Sequence, residues 1–469
     1  MTTIVWFRED LRLTDNPALS AAAERGALLP VYIQTEDGTR SLGGATRWWL
    51  HHSLQALRAD LGYLSLHRGD PGSILVSLAR QTGATAIHWN RRYAPEAIAQ
   101  DTAVKKHLAE VGLEVRSFNG ALLNEPWEIA TGSGSPYKVF TPYWKAARNR
   151  PVSDPLLTPT ITLLQLPDDN GRLSDWELTP TTPNWAQSWP NYWQPGEAGA
   201  QARLAAFLDE DLNNYSQERD RPDLPSTSRL SPHLHFGEIS PRQVHAAVNF
   251  QPFQDPMLVS GAEKFMSELG WREFSHHLLY HFPAMTTENW RPAFEAYPWR
   301  DSQQDLDAWR RGQTGYPFVD AGLRELWQTG FMHNRARMIV ASFLVKHLRI
   351  HWRDGEAWFW DTLVDADIAN NAAGWQWVAG SGADAAPYFR IFNPIVQGQK
   401  FDPNGAYVRR WCPELAELDT RFIHAPWEAS PMELSAAGII LGKSYPYPIV
   451  DHREARAAAL EGYQIIKAT

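Results

Sequence analysis

Thr3-Ile4-Val5-Trp6-Phe7 opens the chain with a short run of β-branched and aromatic residues, the composition of a buried strand. Four more such runs follow, at Leu28–Ile33, Tyr63–His67, Ala86–Asn90 and Glu114–Phe118. Helical stretches separate them, Arg47–Leu61 and Glu96–Val111 among them. Strands that alternate with helices imply a parallel sheet with helices on both faces, because each parallel crossover needs an element to return the chain. This α/β domain is expected to span residues 1–127, closing near Pro126.

Beyond it the pattern changes. Prolines, threonines and tryptophans without sustained periodicity continue to about Pro195, which reads as a long wrapped linker over residues 128–198. After Glu197 apolar residues recur at steps of three and four through Ala202–Leu212, Leu258–His281, Ala321–Trp327 and Arg337–Leu348. Residues 199–469 are therefore expected to form a mostly α-helical second domain.

Composition narrows the function classes. A hydrophobic content of 43% with 21% charged residues is that of a globular protein, and 469 residues exceed one ordinary core. The longest apolar candidate, Met338–Leu348, is broken by Lys346 and His347, so no membrane span is expected. The N-terminus lacks the basic-then-apolar order of an export signal, and the cytoplasm is the expected location. A single cysteine, Cys412, excludes an intrachain disulfide, a four-cysteine zinc site and a four-cysteine iron–sulfur cluster; no metal centre is expected. The net charge of −9 argues mildly against a polyanionic partner. Yet from His333 to Arg353 the chain carries Arg335, Arg337, Lys346, Arg349 and Arg353 with no Asp or Glu, either a solvated helix face or a local phosphate-binding surface.

Three segments carry candidate chemistry. Asp365-Ala366-Asp367-Ile368-Ala369-Asn370-Asn371-Ala372-Ala373-Gly374-Trp375-Gln376-Trp377, with Pro387–Pro394 shortly after, packs carboxylates, carboxamides and indoles together. That set suits a planar, electron-rich ligand, and it suits an aromatic core equally well. On the helix Leu258–His281, Glu268, Trp271, Arg272 and Ser275 share one face. They supply either an ordinary Glu268–Arg272 ion pair or an acceptor, a stacking surface and a phosphate fork side by side. The loop Thr227-Ser228-Arg229-Leu230-Ser231-Pro232 offers hydroxyls and backbone N–H groups ahead of a helix, a weak pyrophosphate-binding pattern that is neither a Walker loop nor G-x-G-x-x-G.

Together these pieces resemble the photolyase/cryptochrome family, and most closely the class I enzymes that repair cyclobutane pyrimidine dimers. The resemblance is carried by Trp6-Phe7-Arg8-Glu9-Asp10-Leu11-Arg12, Thr141-Pro142-Tyr143, Thr227–Ser231, Trp271-Arg272-Glu273-Phe274 and the long stretch from Gly315-Tyr316-Pro317 to Phe392-Asn393-Pro394. It implies a Rossmann-like N-terminal antenna domain and an all-α C-terminal domain that holds FAD. Tyr215, Thr227, Ser228, Arg229, Leu230 and Ser231 match the family's FAD phosphate positions. Arg337 and Asp365 match the pair beside the isoalloxazine, Asp367 a flavin-edge ligand and Asn371 the residue facing flavin N5. Asn371 is neutral where plant cryptochromes carry Asp, which favours repair.

The same resemblance assigns Glu268, Trp271, Asn334, Met338 and Trp377 to the lesion pocket. Arg219, Arg272, Arg335, Arg390 and Gln397 match DNA-facing positions. Trp375, Trp352 and Trp299 match an electron-hopping ladder. The implied reaction is light-driven electron transfer from FADH⁻ to a dimer flipped out of UV-damaged DNA, and photolyases are a named example of base flipping. Enzymes of the family that repair (6-4) photoproducts carry histidines at the positions of Asn334 and Met338, so cyclobutane dimers are the expected substrate. A second antenna chromophore, methenyltetrahydrofolate or 8-hydroxy-deazaflavin, stays open. Folate-binding relatives carry His where Arg40 stands and Asn-Glu near Glu96 and Ala97. A monomer with no obligatory protein partner is expected; the alternative is a cryptochrome-like blue-light sensor.

Overall fold

The computed structural model describes residues 1–35, 40–167, 171–385 and 389–468. They form two compact units: residues 1–213, 228–283 and 364–369, and residues 214–227, 284–363 and 370–469.

The first unit is built on a parallel sheet. Strands β1 (Thr3–Phe7), β2 (Ala27–Gln34), β3 (Ser65–Arg68), β4 (Ala86–Asn90) and β5 (Glu114–Phe118) lie in the order β3-β2-β1-β4-β5. β1 pairs with β2 from Thr3↔Leu28 to Phe7↔Tyr32 and with β4 from Thr3↔Ala86 to Val5↔His88. Every residue of β1 and β4 is buried, as expected of central parallel strands covered on both faces, whereas the edge strand β5 is not. Helices α1 (Pro17–Ala23), α2 (Gly44–Leu61), α3 (Pro71–Thr82) and α4 (Pro95–Glu110) make the crossovers. Asn16 and Asp70 cap α1 and α3, each accepting from a backbone N–H three residues on, with Pro at the first helical position. Ile4, Trp6, Val31, Leu75, Leu78, Ile87, Trp89 and Leu108 form the core on one side of the sheet.

The region expected to be a linker is structured. Thr162–Leu163 form a sixth strand, β6, parallel to the start of β2. Phe140–Ala147 form helix α5, with Phe140, Tyr143 and Ala147 buried. Further helices of this unit include Glu197–Ala206, which runs into a π-helical turn at Phe207–Asp211, and Val259–His281. Arg12, fully buried, ties separate segments together: its guanidinium donates to the carbonyls of Asp15, Gly120 and Gly237. Gly237 has φ +65° and lies so close to Glu9 that a Cβ would sit 2.1 Å from the Glu9 carbonyl oxygen, so only glycine fits.

The second unit is helical. Pro317–Thr329, Asn334–Ser342 with its π-helical continuation Phe343–Leu348, Trp352–Thr362, Pro394–Phe401, Ala406–Trp411 and His452–Ala468 are among its elements. Among the described residues, no helix is long and apolar enough to cross a membrane.

Candidate functional site

In the first unit, the loop ahead of the short helix Ser231–His235 is bent by an unusual backbone. Arg229 has φ +50°, a left-handed conformation that a side chain with a Cβ adopts at a cost, typical of ligand-clamping segments. Ser228 accepts from the N–H of Leu230 at 3.4 Å, its carbonyl accepts from Arg203, and the Arg229 guanidinium lies 6.0 Å from the centre of the Trp193 ring. Ser231 donates its hydroxyl to Asp365 at 2.6 Å, joining two segments that sequence reasoning assigned to one ligand.

Asp367 is flanked by two histidines that the sequence did not single out. His235 Nδ1 lies 3.8 Å and His276 Nε2 3.6 Å from the same carboxylate oxygen. Burial opposes protonation of His235, but the hydrogen bond and charge of Asp367 outweigh it and raise its pKa. For His276 burial wins, lowering its pKa to about 4. Among the described residues, neither His276 ring nitrogen has a hydrogen-bond partner. Two carboxylates and a neutral, unsatisfied imidazole fit a heteroaromatic ring system with both N–H and carbonyl edges, as an isoalloxazine has.

The helix Val259–His281 buries Phe265, Leu269 and Phe274 among others, and carries Glu268, Trp271 and Arg272, all half-buried. Glu268 pairs with Lys264 at 2.9 Å, four residues before it. Arg272 donates to the Ala121 carbonyl at 3.0 Å and to Glu273 at 3.2 Å. Glu273 is buried and accepts from the backbone N–H groups of Leu123 and Asn124. Burial pushes its pKa up to about 7 against the pull of Arg272 and those two donors.

In the second unit, Asn371 donates both amide hydrogens to Glu356, at 2.7 Å to the side chain and 3.1 Å to the carbonyl. Its rotamer is thereby fixed and its oxygen left as the acceptor end. Arg337 donates to the Met332 carbonyl at 2.7 Å and lies over Phe331. Tyr215 is buried beneath the Arg219 guanidinium, and Thr227 is half-buried. Trp375, one helical turn after Asn371, is 3% exposed, and its indole N–H has no partner among the described residues. It packs so closely on the preceding helix, Trp352–Thr362, that a Cβ on Gly355 would sit 2.1 Å from the indole. Trp352 is fully buried and donates to Asn289 at 2.9 Å, while Trp299 is half-buried and donates to the Phe294 carbonyl at 3.2 Å. His351 lies against both, 4.7 Å from the Trp299 ring and 5.7 Å from the Trp352 ring. Trp375 and Trp352 are thus buried and Trp299 alone of the three is half-buried.

Of the other DNA-facing candidates, Arg335 pairs with Asp220 and stacks over Phe401 at 4.4 Å, and Arg219 lies 3.7 Å from Asp220. Asn334 and Arg390 are exposed, and Met338, Trp377 and Gln397 half-buried. Pro387 and Tyr388 lie outside the described residues.

A parallel α/β sheet is thus followed along the chain by helices that carry this set of acids, amides and indoles. Residues 3–160 match the family described as DNA photolyase, and residues 265–465 the FAD binding domain of DNA photolyase. The chain is 52% identical to a deoxyribodipyrimidine photo-lyase of Agrobacterium fabrum, covering 99% of this chain and 98% of that one. It is 40% identical to cryptochrome-2 of Arabidopsis thaliana, covering 97% and 77%. A solved bacterial class III photolyase from Agrobacterium tumefaciens superposes with a TM-score of 0.97 at 52% identity, over 100% of this chain and 98% of that one. The chain belongs to the DNA photolyase family, and FAD is its cofactor. The sequence reading places the likeness nearest the class I enzymes, whereas that solved relative is named a class III photolyase.

Proposed function

We propose that this protein repairs cyclobutane pyrimidine dimers in UV-damaged DNA, using light absorbed by its FAD. The observation that carries the reading is the half-buried trio Glu268, Trp271 and Arg272 on one face of the helix Val259–His281. A carboxyl to orient base edges, a flat wall to stack on and a cation for the backbone are what a flipped-out lesion needs. Bound FAD supplies the photoexcited electron donor. The chain's own residues hold and tune it. Ser228, Arg229, Leu230 and Ser231, with Tyr215 and Thr227, serve the phosphates; Asp365, Asp367 and Arg337 serve the ring system; Asn371 presents its amide oxygen. Trp375, Trp352 and Trp299 return electrons to the oxidised cofactor. Asn334, Met338 and Trp377 complete the lesion pocket, and Arg219, Arg335, Arg390 and Gln397 serve the phosphate backbone. In functional terms residues 1–127 are the antenna domain, 128–198 the connection and 199–469 the catalytic domain, acting as a monomer without an obligatory protein partner. The antenna domain would hold a folate, a deazaflavin or no second chromophore.

Specificity is the sharp test. Reduced protein under blue light should restore thymines from a cyclobutane dimer in an oligonucleotide and leave a (6-4) photoproduct intact, since Asn334 and Met338 offer no proton shuttle. Repair of the (6-4) lesion would overturn the substrate assignment. FAD photochemistry with no repair of either lesion would favour the sensor that the cryptochrome relatives suggest.

A further inference from the structure

We infer that Phe140, with Trp144 one turn on in α5, is a positioning residue that holds the Trp271 indole flat for the lesion. The inference rests on the proposed reading of Trp271 as the stacking wall.

The geometry is direct. The Phe140 ring lies 3.7 Å from the Trp271 ring, centroid to centroid, with their planes 9° apart. At that spacing one face of the indole is covered. Phe274 meets Trp271 from the side, at 5.9 Å and 73°. Trp144 runs parallel to Phe140 at 6.4 Å and 9°. Its indole occupies the space over Gly270, where a Cβ would come within 2.5 Å of Cε3. Glycine immediately before Trp271 therefore lets α5 seat directly on the helix that carries the wall. Phe140 is itself 7% exposed, so its ring has no freedom to leave. Trp271 remains half-buried, so its accessible part lies away from the covered face.

A half-exposed tryptophan on a helix would otherwise exchange among rotamers and lose that freedom on binding. With one face clamped, the freedom is already gone before the lesion arrives, and preorganisation of this kind appears as affinity. Phe140 touches no reacting group; it acts through Trp271.

The experiment compares Phe140→Leu, which keeps apolar volume but removes the plane, with Phe140→Tyr, which keeps the plane. Binding to an oligonucleotide with and without one cyclobutane dimer is measured in the dark, and KM and kcat for repair under light. The FAD-loaded Leu variant should bind the lesion about three- to tenfold more weakly, as loss of an aromatic pair implies, with undamaged DNA within about twofold. KM should rise by the same factor with kcat little changed, and the Tyr variant should return both to near wild type. Unaltered lesion preference in the Leu variant overturns the inference. So does an equal loss for damaged and undamaged DNA, or an equal loss in both variants. If Phe140→Leu does not fold, Trp144→Leu loosens the same support, and wild-type lesion preference there overturns the inference. A wild-type protein that does not prefer the lesion refutes the repair reading itself, which separates the two failures.

Discussion

Trp271 and Trp375 are the same residue type in opposite settings. Trp271 lies face-to-face on Phe140 and stays half-buried, so the chain supports one side of a flat surface and leaves the rest accessible. Trp375 is 3% exposed, meets Phe359 and Trp309 edge-on at 65°, and keeps an indole N–H with no partner among the described residues. On the proposed reading, the indole that stacks with a lesion is presented and the first indole of the electron path is enclosed by protein.

Two substitutions should break this comparison cleanly, and the larger effect belongs to the buried ring. Trp375→Phe keeps an aromatic ring in the core but removes the oxidisable indole. Blue-light reduction of oxidised FAD by an external thiol should be almost abolished, while repair by chemically reduced protein stays near wild type. Photoreduction at the wild-type rate would remove Trp375 from the ladder. Trp271→Ala should do the reverse. Loss of base–aromatic stacking, about 1–3 kcal/mol, predicts lesion binding weaker by roughly 5- to 150-fold, with photoreduction unaffected. Titration with damaged and undamaged oligonucleotides at one salt concentration decides it, since the phosphate contribution falls as salt rises.

A smaller effect is expected at Arg337. Removing its charge by Arg337→Ala should weaken FAD binding by about tenfold, the loss of one charge-assisted hydrogen bond, read from flavin absorbance per chain after gel filtration. The smallest is a pH effect at Glu273. Its carboxyl is held protonated in the fold to about pH 7, well above the value of a free carboxyl, so the folded state binds a proton that the unfolded state has released. That stability is fully present below the unfolded pKa and is lost as pH rises through about 7. Glu273→Gln should therefore flatten the fall in Tm between pH 5 and pH 8, measured by thermal melts of the FAD-loaded protein. A parallel fall in the variant would show that Glu273 does not carry the effect.

Legibility in the sequence followed the range of the interactions. The strands β1, β4 and β5 match the runs read from composition; β1 and β4 are buried among neighbours and so written in their own residues, and β5 is marked by its interleaved apolar and polar side chains. Helices α1 and α3 fall outside the long periodic stretches, although Asn16-Pro17 and Asp70-Pro71 are cap signals, because each is shorter than those stretches. α5 is eight residues with Pro142 inside it, too short for periodicity to show. Glu268, Trp271 and Arg272 could be grouped from helical spacing alone. Phe140 against Trp271, and His235 and His276 around Asp367, could not, because those contacts join segments distant in the chain. Local pattern indicates which residues share a face; tertiary packing decides what that face meets.

The most direct measurement is light-dependent repair itself. Reduced, FAD-loaded protein is mixed with an oligonucleotide carrying one thymine cyclobutane dimer, and intact thymines are counted after blue light and after an equal time in darkness. Restoration in light alone, retained in chemically reduced Trp375→Phe and strongly diminished at limiting substrate in Trp271→Ala, is the predicted result. Dimers left intact in light by fully reduced wild-type protein that nevertheless binds them would contradict repair as this protein's function.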